Sequence, residues 1–165
     1  TGNWPQALWQ ALDEVGLPQA CLPEEQGGSG LSFEDAMFVL RRSAFHAAPV
    51  PLAETFLAGR LLTAAQLAVP SGVLSVAGFQ TQDNLTLNDA GTQISGHAHR
   101  VPWGVSCDHL VLVAMRQGNE HVVIVERSAL PAALAVLGLL AVLIGGAVRS
   151  SKSDCICFRN SRSFG

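Results

Sequence analysis

The sequence predicts an α+β fold, in which an N-terminal helical domain precedes a partial antiparallel β domain. Apolar residues first recur at helical spacing, and after Pro70 short β-favouring runs separated by turns replace them. Residues 129–148 differ from both parts, because they contain no charged or polar side chain. We therefore divide the chain into an N-terminal helical domain (1–69), a partial β domain (70–128) and a third segment (129–165). That segment is predicted to be an apolar C-terminal helix or an aberrant tail, ending in basic residues.

Three helices are predicted in the first domain. Pro5 suits the first turn of a helix. Gly16 can end that same helix, because glycine readily adopts the left-handed conformation. Ser32 can cap the second helix while Asp35 reaches back to it, and Pro51 can open the third. Three apolar stripes are expected to face the core, namely Leu8, Leu12 and Val15, then Phe33, Met37, Leu40 and Ala44, then Leu57, Leu61 and Leu62.

Five short runs predict the strands of the second domain. Turn sequences rich in Gly, Asn and Asp join neighbouring runs as hairpins, which favours antiparallel pairing. So few short strands do not close a barrel, and we expect further chain or a partner to cover the sheet edges. The predicted strands cover residues 73–76, 85–87, 93–96, 109–115 and 121–126.

The charges are divided unevenly along the chain. Residues 1–148 carry six Arg, no Lys and twelve acidic residues, a net charge of −6, whereas residues 149–165 carry +3. An acidic main body argues against nucleic acid as the natural partner, because phosphate binding requires a basic face. The 48% hydrophobic and 14% charged content is that of a folded protein.

The cysteines give no indication of an oxidising compartment. Cys21 and Cys107 are isolated in apolar sequence, where cysteine usually behaves as a small buried hydrophobe. Cys155 and Cys157 have the wrong spacing for a zinc or redox pair. The sequence from Thr1 shows no charged-then-apolar leader, so no secretory signal is predicted and a cytoplasmic location is expected. The missing Met suggests that the natural start lies upstream.

The apolar segment 129–148 has two interpretations that the sequence leaves open. It is long enough to cross a bilayer, and the basic residues after it suit a cytosolic flank. An abrupt change in composition is also what a frameshift or an unrelated fused tail produces. A buried core helix is a third interpretation, and a membrane is a partner only if the span is genuine.

Two segments resemble acyl-CoA dehydrogenases. Gly16-Leu17, followed by residues 22–32 (LPEEQGGSGLS), resembles the "G-L…P-E-E-x-G-G-x-G-L-S" segment of that family, and residues 47–54 are similar to its divergent members. Residues 96–108 match the spacing of the family's "G-x-K-x-W-I-T-N-G-x-x-A-D" strand and turn. The resemblance covers about residues 4–128, although the family's "T-E-P-x-x-G-S-D" loop is not found.

The resemblance implies a flavin-dependent oxidoreductase of lipid metabolism that desaturates an acyl-CoA thioester. It also implies FAD as cofactor and a homo- or hetero-oligomer. In the family, the Trp and Thr of the second motif lie against the flavin, and Arg100 and Pro102 replace them here. Val101, Pro102 and Trp103 are therefore the predicted cofactor-binding residues, although Trp103 could instead be a core anchor.

No catalytic residue and no metal site are predicted. The family's catalytic glutamate belongs to a second helical domain that the resemblance does not reach, so this chain alone is expected to be inactive. The altered motif also leaves open a non-catalytic subunit of a heteromeric dehydrogenase. A membrane-tethered, non-enzymatic module is the alternative from another class.

Two other residue patterns have simple explanations. His97 and His99 share a strand face, but no third metal ligand accompanies them. Gly27, Gly28 and Gly30 follow no strand, so a structural turn is favoured over a phosphate-binding loop.

Overall fold

The computed structural model describes residues 4–129, 139–145 and 149–150. Helices come first and strands follow, which confirms the predicted α+β class. The helices are α1 (Gln6–Glu14), α2 (Phe33–Phe45) and α3 (Leu52–Ala64). The strands are β1 (Leu74–Ala77), β2 (Thr86–Leu87), β3 (Gln93–His99), β4 (His109–Arg116), β5 (Asn119–Glu126), β6 (Leu139–Gly145) and β7 (Arg149–Ser150).

The helices begin and end where the local sequence predicts. Gly16 has a φ of 71° just beyond α1, in the left-handed region that glycine adopts without strain. The amide of Asp35 donates to Ser32 Oγ at 3.1 Å, and the Ser32 hydroxyl donates to the Asp35 carboxylate at 2.8 Å. Pro51 directly precedes α3. Start and stop signals depend on neighbouring residues alone, and these predictions are confirmed.

The expectation for the buried helix faces is wrong in part. Leu12 and Leu40 pack against the core and Leu62 is buried, but Leu57 of α3 is 43% exposed. In α1 the buried residue is Trp9, whereas Leu8 is 37% and Val15 is 75% exposed. In α2 only Ala36 is buried, while Phe33 is 55% exposed. Ala36 belongs to the core cluster that contains Trp9 and Phe56, whereas the larger Met37 and Phe38 remain 41% and 64% exposed.

The sheet is mixed, so the prediction of a purely antiparallel β domain is wrong. Pairing between β4 and β5 and between β2 and β3 is antiparallel, but β1 and β2 both run parallel to β4. The physical reason is the long connection from β1 to β4 through residues 78–108. It contains the β2–β3 hairpin and returns the chain to the start of β1, so β4 runs in the same direction.

Strand β4 is buried on both faces. Val111 packs with Leu62 of α3 and Leu74 of β1 in one cluster of buried residues. Leu110 and Leu112 point to the opposite face, because side chains alternate along a strand, and they join a second cluster with residues of β2, β3 and β5. Helix α3 is also tied to β1 directly, since the buried Thr55 hydroxyl donates to the Leu74 carbonyl at 3.2 Å.

Part of the apolar segment is a strand and not a helix. Strand β6 pairs antiparallel with β3, and β7 pairs antiparallel with β5. The predicted apolar helix is therefore wrong for Leu139–Gly145, because strong β-pairing with the exposed edge of β3 competes with local helix formation. In the described part of the chain, no helix is long and apolar enough to cross a bilayer. The rest of the predicted tail (130–138, 146–148 and 151–165) lies outside the described residues.

The Gly-rich loop after α1 is a structural turn. The amides of Gly27, Gly28 and Gly30 donate to the carbonyls of Glu24, Pro23 and Leu22 at 2.9, 3.1 and 2.9 Å. These amides are already paired within the chain, so they are not offered to a phosphate. This supports the structural interpretation of the glycines.

Candidate functional site

The turn between β3 and β4, residues 100–108, is the part of the chain that the sequence marks for cofactor binding. Its last residue, Asp108, is hydrogen-bonded to Val73, which precedes β1. The Asp108 amide donates to the Val73 carbonyl at 2.8 Å, and the Val73 amide donates to Asp108 Oδ2 at 2.7 Å. This reciprocal pair places the turn beside the start of β1.

The middle of the turn has an unusual backbone. Arg100 and Trp103 have φ values of 53° and 54°, which non-glycine residues seldom adopt. The amides of Ser106 and Cys107 both donate to the Trp103 carbonyl, at 2.8 and 2.9 Å. The hydroxyl of the buried Ser75 on β1 donates to the Pro102 carbonyl. Contacts of this kind offset the cost of left-handed residues, which often cluster at functional sites.

The structure points the three predicted cofactor-binding residues in different directions. Val101 is half-buried and packs against the core of the sheet. Pro102 is exposed. Trp103 is half-buried, and its ring lies against Trp4, which directly precedes α1. The turn therefore connects the sheet to the helical part of the chain.

All three tryptophans of the chain lie in one cluster. The Trp4 and Trp103 ring centroids are 6.0 Å apart with an interplanar angle of 77°, an edge-to-face arrangement. Trp4 also contacts Trp9, at 5.7 Å and 50°. Sequence reasoning missed Trp4 and Trp9 as neighbours of the site, and residue type was the only signal that could have linked them.

A cleft of about 500 Å³ opens between α1 and this turn. Two carboxylates, from Asp13 and Asp108, line it, and no described lining residue is a lysine or arginine, so this lining does not fit the diphosphate of a dinucleotide. Arg100, on the turn itself, is exposed and can reach an anion outside the cleft. The lining residues are Trp4, Gln6, Trp9, Gln10, Asp13, Val73, Val105, Ser106 and Asp108.

Asp83 holds the start of the turn through hydrogen bonds to His99, the residue that precedes it. Its Oδ1 accepts from the His99 amide at 2.7 Å and lies 3.2 Å from His99 Nδ1, and its Oδ2 accepts from the Gln80 amide at 2.9 Å. Burial raises the pKa of Asp83, but the hydrogen bonds from Gln80 and His99 outweigh it and hold the pKa below its ordinary value. The ionised carboxylate therefore stabilises the fold.

This pKa shift predicts a loss of stability in acid. Because the folded-state pKa of Asp83 is lowered, its contribution to stability is complete well above the ordinary pKa of Asp, from about pH 5 upward. The contribution is lost as the pH falls through the lowered folded-state pKa. Urea unfolding of the wild type and Asp83→Asn should differ by a constant amount above about pH 5. The difference should narrow towards pH 2, and a gap that stays constant down to pH 2 would contradict the assignment.

Cys107 is a buried residue of the turn and is not a nucleophile. Its Sγ lies 3.7 Å from the Gly104 carbonyl oxygen. Burial raises the pKa of the Cys107 thiol to about 11, although Arg127 lowers it. The thiol is therefore protonated at neutral pH, as expected for a small buried hydrophobe.

The two strand histidines do not come together as a metal pair. His97 is exposed, while His99 is held by Asp83. Within the described residues, no group of three or more His, Cys, Asp or Glu side chains could hold a metal ion.

Solved structures share this arrangement of helices and sheet. One, described as the Tcur3481-Tcur3483 steroid ACAD G363A variant, is 25% identical, with a TM-score of 0.61 over 87% of this chain and 46% of that chain. The ChsE4-ChsE5 complex from Mycobacterium tuberculosis is 19% identical, with a TM-score of 0.63 over 90% of this chain and 47% of that chain. A nitrososynthase from Micromonospora carbonacea var. africana is 18% identical, with a TM-score of 0.58 over 94% and 50%. The fold is that of acyl-CoA dehydrogenase-like proteins.

The sequence of the helical part matches a family model. Residues 1–68 match the family model described as "Acyl-CoA dehydrogenase, N-terminal domain". The amino-terminal part of this chain is therefore similar to acyl-CoA dehydrogenases, which confirms the resemblance. A comparison with curated protein sequences found no significant match. The chain spans about half the length of the solved structures it matches.

Proposed function

We propose that this chain forms one wall of the flavin and acyl-thioester cleft of an acyl-CoA dehydrogenase. The enzyme would desaturate the α,β bond of an acyl-CoA. The observation that carries the proposal is the turn at residues 100–103, which lies between the family's N-terminal domain and the sheet. In this role Pro102 and Trp103 present an apolar surface to the flavin ring.

The turn and the cleft differ in how well they fit FAD. The exposed Pro102 and the half-buried Trp103 suit one face of a flat ring, and Arg100 can pair with a phosphate. The acidic cleft beside α1 does not suit the diphosphate. FAD, when bound, supplies the hydride acceptor that no side chain can provide. The chain's own part is to orient the ring and exclude water from one side of it.

The carboxylates that line the cleft are not offered as the base. Asp13 Oδ1 accepts from Gln19 Nε2 at 3.1 Å, and Asp108 Oδ2 accepts from the Val73 amide. A base must reach the carbon next to the thioester, and both groups here serve the fold. We place the base in sequence beyond the half of the fold that this chain spans, or on a partner subunit.

Flavin binding by the chain tests the turn. Titration of FAD with the 165-residue protein should quench flavin fluorescence with a Kd on the order of 100 μM, since only one wall is present. Trp103→Ala should weaken this binding about tenfold. Phe45→Ala, an exposed aromatic on α2, is the matched control and should have no effect. Equal loss in both variants, or no quenching by the wild type, would reject the assignment of the turn.

The isolated chain should not turn over substrate. We expect no oxidation of acyl-CoA with an artificial electron acceptor, with or without added FAD, because no described carboxylate is placed as the base. Measurable turnover by the purified protein would refute this. Should a partner supply the base, activity would appear only on mixing.

The second candidate is a non-catalytic subunit of a heteromeric dehydrogenase. Two of the similar structures are described by two components, which favours an assembly of unlike chains. In that case the chain alone should bind no FAD, yet should raise the turnover of a catalytic acyl-CoA dehydrogenase subunit from the same source. The steroid ACAD among the similar structures makes a steroid-type acyl-CoA the first substrate to assay.

A further inference from the structure

A second, apolar groove lies among the helices. Its volume is about 320 Å³, and residues of α1, α2 and the start of α3 line it. Leu8 and Leu12 of the groove belong to the α1 stripe that was expected to be core, and Leu8 remains 37% exposed. Phe38 of α2, which lies outside the expected stripe, is 64% exposed. The lining residues are Leu8, Leu12, Leu17, Phe38, Val39, Arg42, Ser43, His46, Ala48 and Leu52.

Two cation-forming side chains, Arg42 and His46, stand among these apolar residues. Arg42 Nη2 lies 3.5 Å from His46 Nε2, and the Arg42 guanidinium lies 5.4 Å from the centroid of the Phe45 ring. The His46 ring also meets Phe45 edge-on, at 5.1 Å and 88°. These contacts hold the guanidinium beside the groove. None of the described residues that line the groove is acidic, although residues 1–148 carry a net charge of −6.

The groove is separate from the candidate flavin site. Gln6, Gln10 and Asp13 of α1 line the cleft beside the turn, whereas Leu8 and Leu12 line the groove. With about 3.6 residues per turn, these two sets lie on opposite sides of the helix. A ligand in the groove therefore lies behind α1 as seen from Trp103.

We propose that this groove binds a single-chain aliphatic carboxylate, with the chain along the leucines and the carboxylate on Arg42. The volume lies near the lower end of the range of about 300–1,000 Å³ for small-molecule sites, which suits one alkyl chain and not a polycyclic body. The fork of donors on arginine matches a carboxylate. Charge complementarity thus selects an anionic amphiphile over a neutral or cationic one.

Affinity as a function of chain length is the direct test. Octanoate, decanoate and dodecanoate, each below its micelle concentration, are titrated against the intact protein by calorimetry. Each methylene buried should tighten binding roughly fourfold, until the chain exceeds the groove. Dodecanol, which lacks the charge, should bind at least about tenfold more weakly than dodecanoate.

A pair of adjacent arginines supplies the matched variants. Arg42→Gln should weaken the binding of dodecanoate about tenfold and leave the affinity for dodecanol unchanged. Arg41→Gln, an equally exposed neighbour that does not line the groove, should leave both unchanged. Ser43→Leu places a larger side chain in the groove from α2 and should abolish the binding of both dodecanoate and dodecanol. An unchanged melting temperature would show that this variant is folded.

Three results would overturn the proposal. One is an affinity that does not depend on chain length. The second is an equal effect of Arg41→Gln and Arg42→Gln on dodecanoate affinity, which would mean that surface charge alone accounts for the binding. The third is the absence of binding, accompanied by a dimer in sedimentation that Ser43→Leu disrupts, which would assign the groove to a second copy of the chain. None of these results bears on flavin binding at the turn.

Discussion

Trp9→Ala should lower the free energy of unfolding by about 3–5 kcal/mol, the usual range for truncating a buried aromatic side chain. Trp9 is 5% exposed, lies in the core of the helical part and contacts Trp4. Its loss leaves a cavity beneath the aromatic cluster that supports Trp103. Urea unfolding followed by circular dichroism measures the change.

Leu8→Ala is the matched control on the same helix. Leu8 belongs to the stripe that the sequence marks as core, yet it is 37% exposed. Its truncation should cost less than about 1 kcal/mol, because much of the side chain is already in water. If Leu8→Ala costs as much as Trp9→Ala, the packing of α1 described here is wrong.

Gly28→Ala should cost about 3 kcal/mol, at the upper end of the overpacking range. A Cβ at this position would lie 2.1 Å from the Leu22 carbonyl oxygen and 2.6 Å from that of Gln19. Both are backbone atoms, so neither can rotate away. Thermal unfolding should show a large decrease in Tm, with the loop and the helices it connects becoming less stable together.

Gly59→Ala provides the comparison, because its added Cβ meets the same leucine. Here the nearest atom is the tip of the Leu22 side chain, Cδ2 at 2.8 Å, which can move. The gain in helix propensity of up to about 1 kcal/mol offsets that movement, so stability should stay within about 1 kcal/mol of the wild type. A small loss in Gly28→Ala would show that the loop is less tightly packed than described, and a severe loss in Gly59→Ala would show that the Leu22 side chain cannot move aside.

The candidate site was predictable in position but not in orientation. The spacing from Gly96 to Asp108 placed the turn correctly between two strands, because strand and turn signals are local. Nothing local shows that Trp103 would meet Trp4, which lies at the other end of the sequence. Its contact with flavin stays a prediction, as does the cytoplasmic location.

The mixed sheet likewise depends on contacts between distant residues, which local sequence signals do not predict. Hairpin signals correctly paired β4 with β5 and β2 with β3. The parallel pairing of β1 with β4 joins residues separated by the whole β2–β3 hairpin. Such pairing depends on where a long connection returns, which hydrophobic periodicity does not encode.

The sequence by itself determined the helix ends, the positions of the central strands and the structural role of the Gly-rich loop. It also determined the resemblance of the amino-terminal part to acyl-CoA dehydrogenases. These features depend on residues close together in the chain, through capping, backbone preference and motif spacing. Only the tertiary structure decided which face of each helix is buried, which strands run parallel and which side chains meet Trp103. Those depend on packing between distant segments, and the small Ala36 and the large Trp9 show that shape can override a simple apolar stripe.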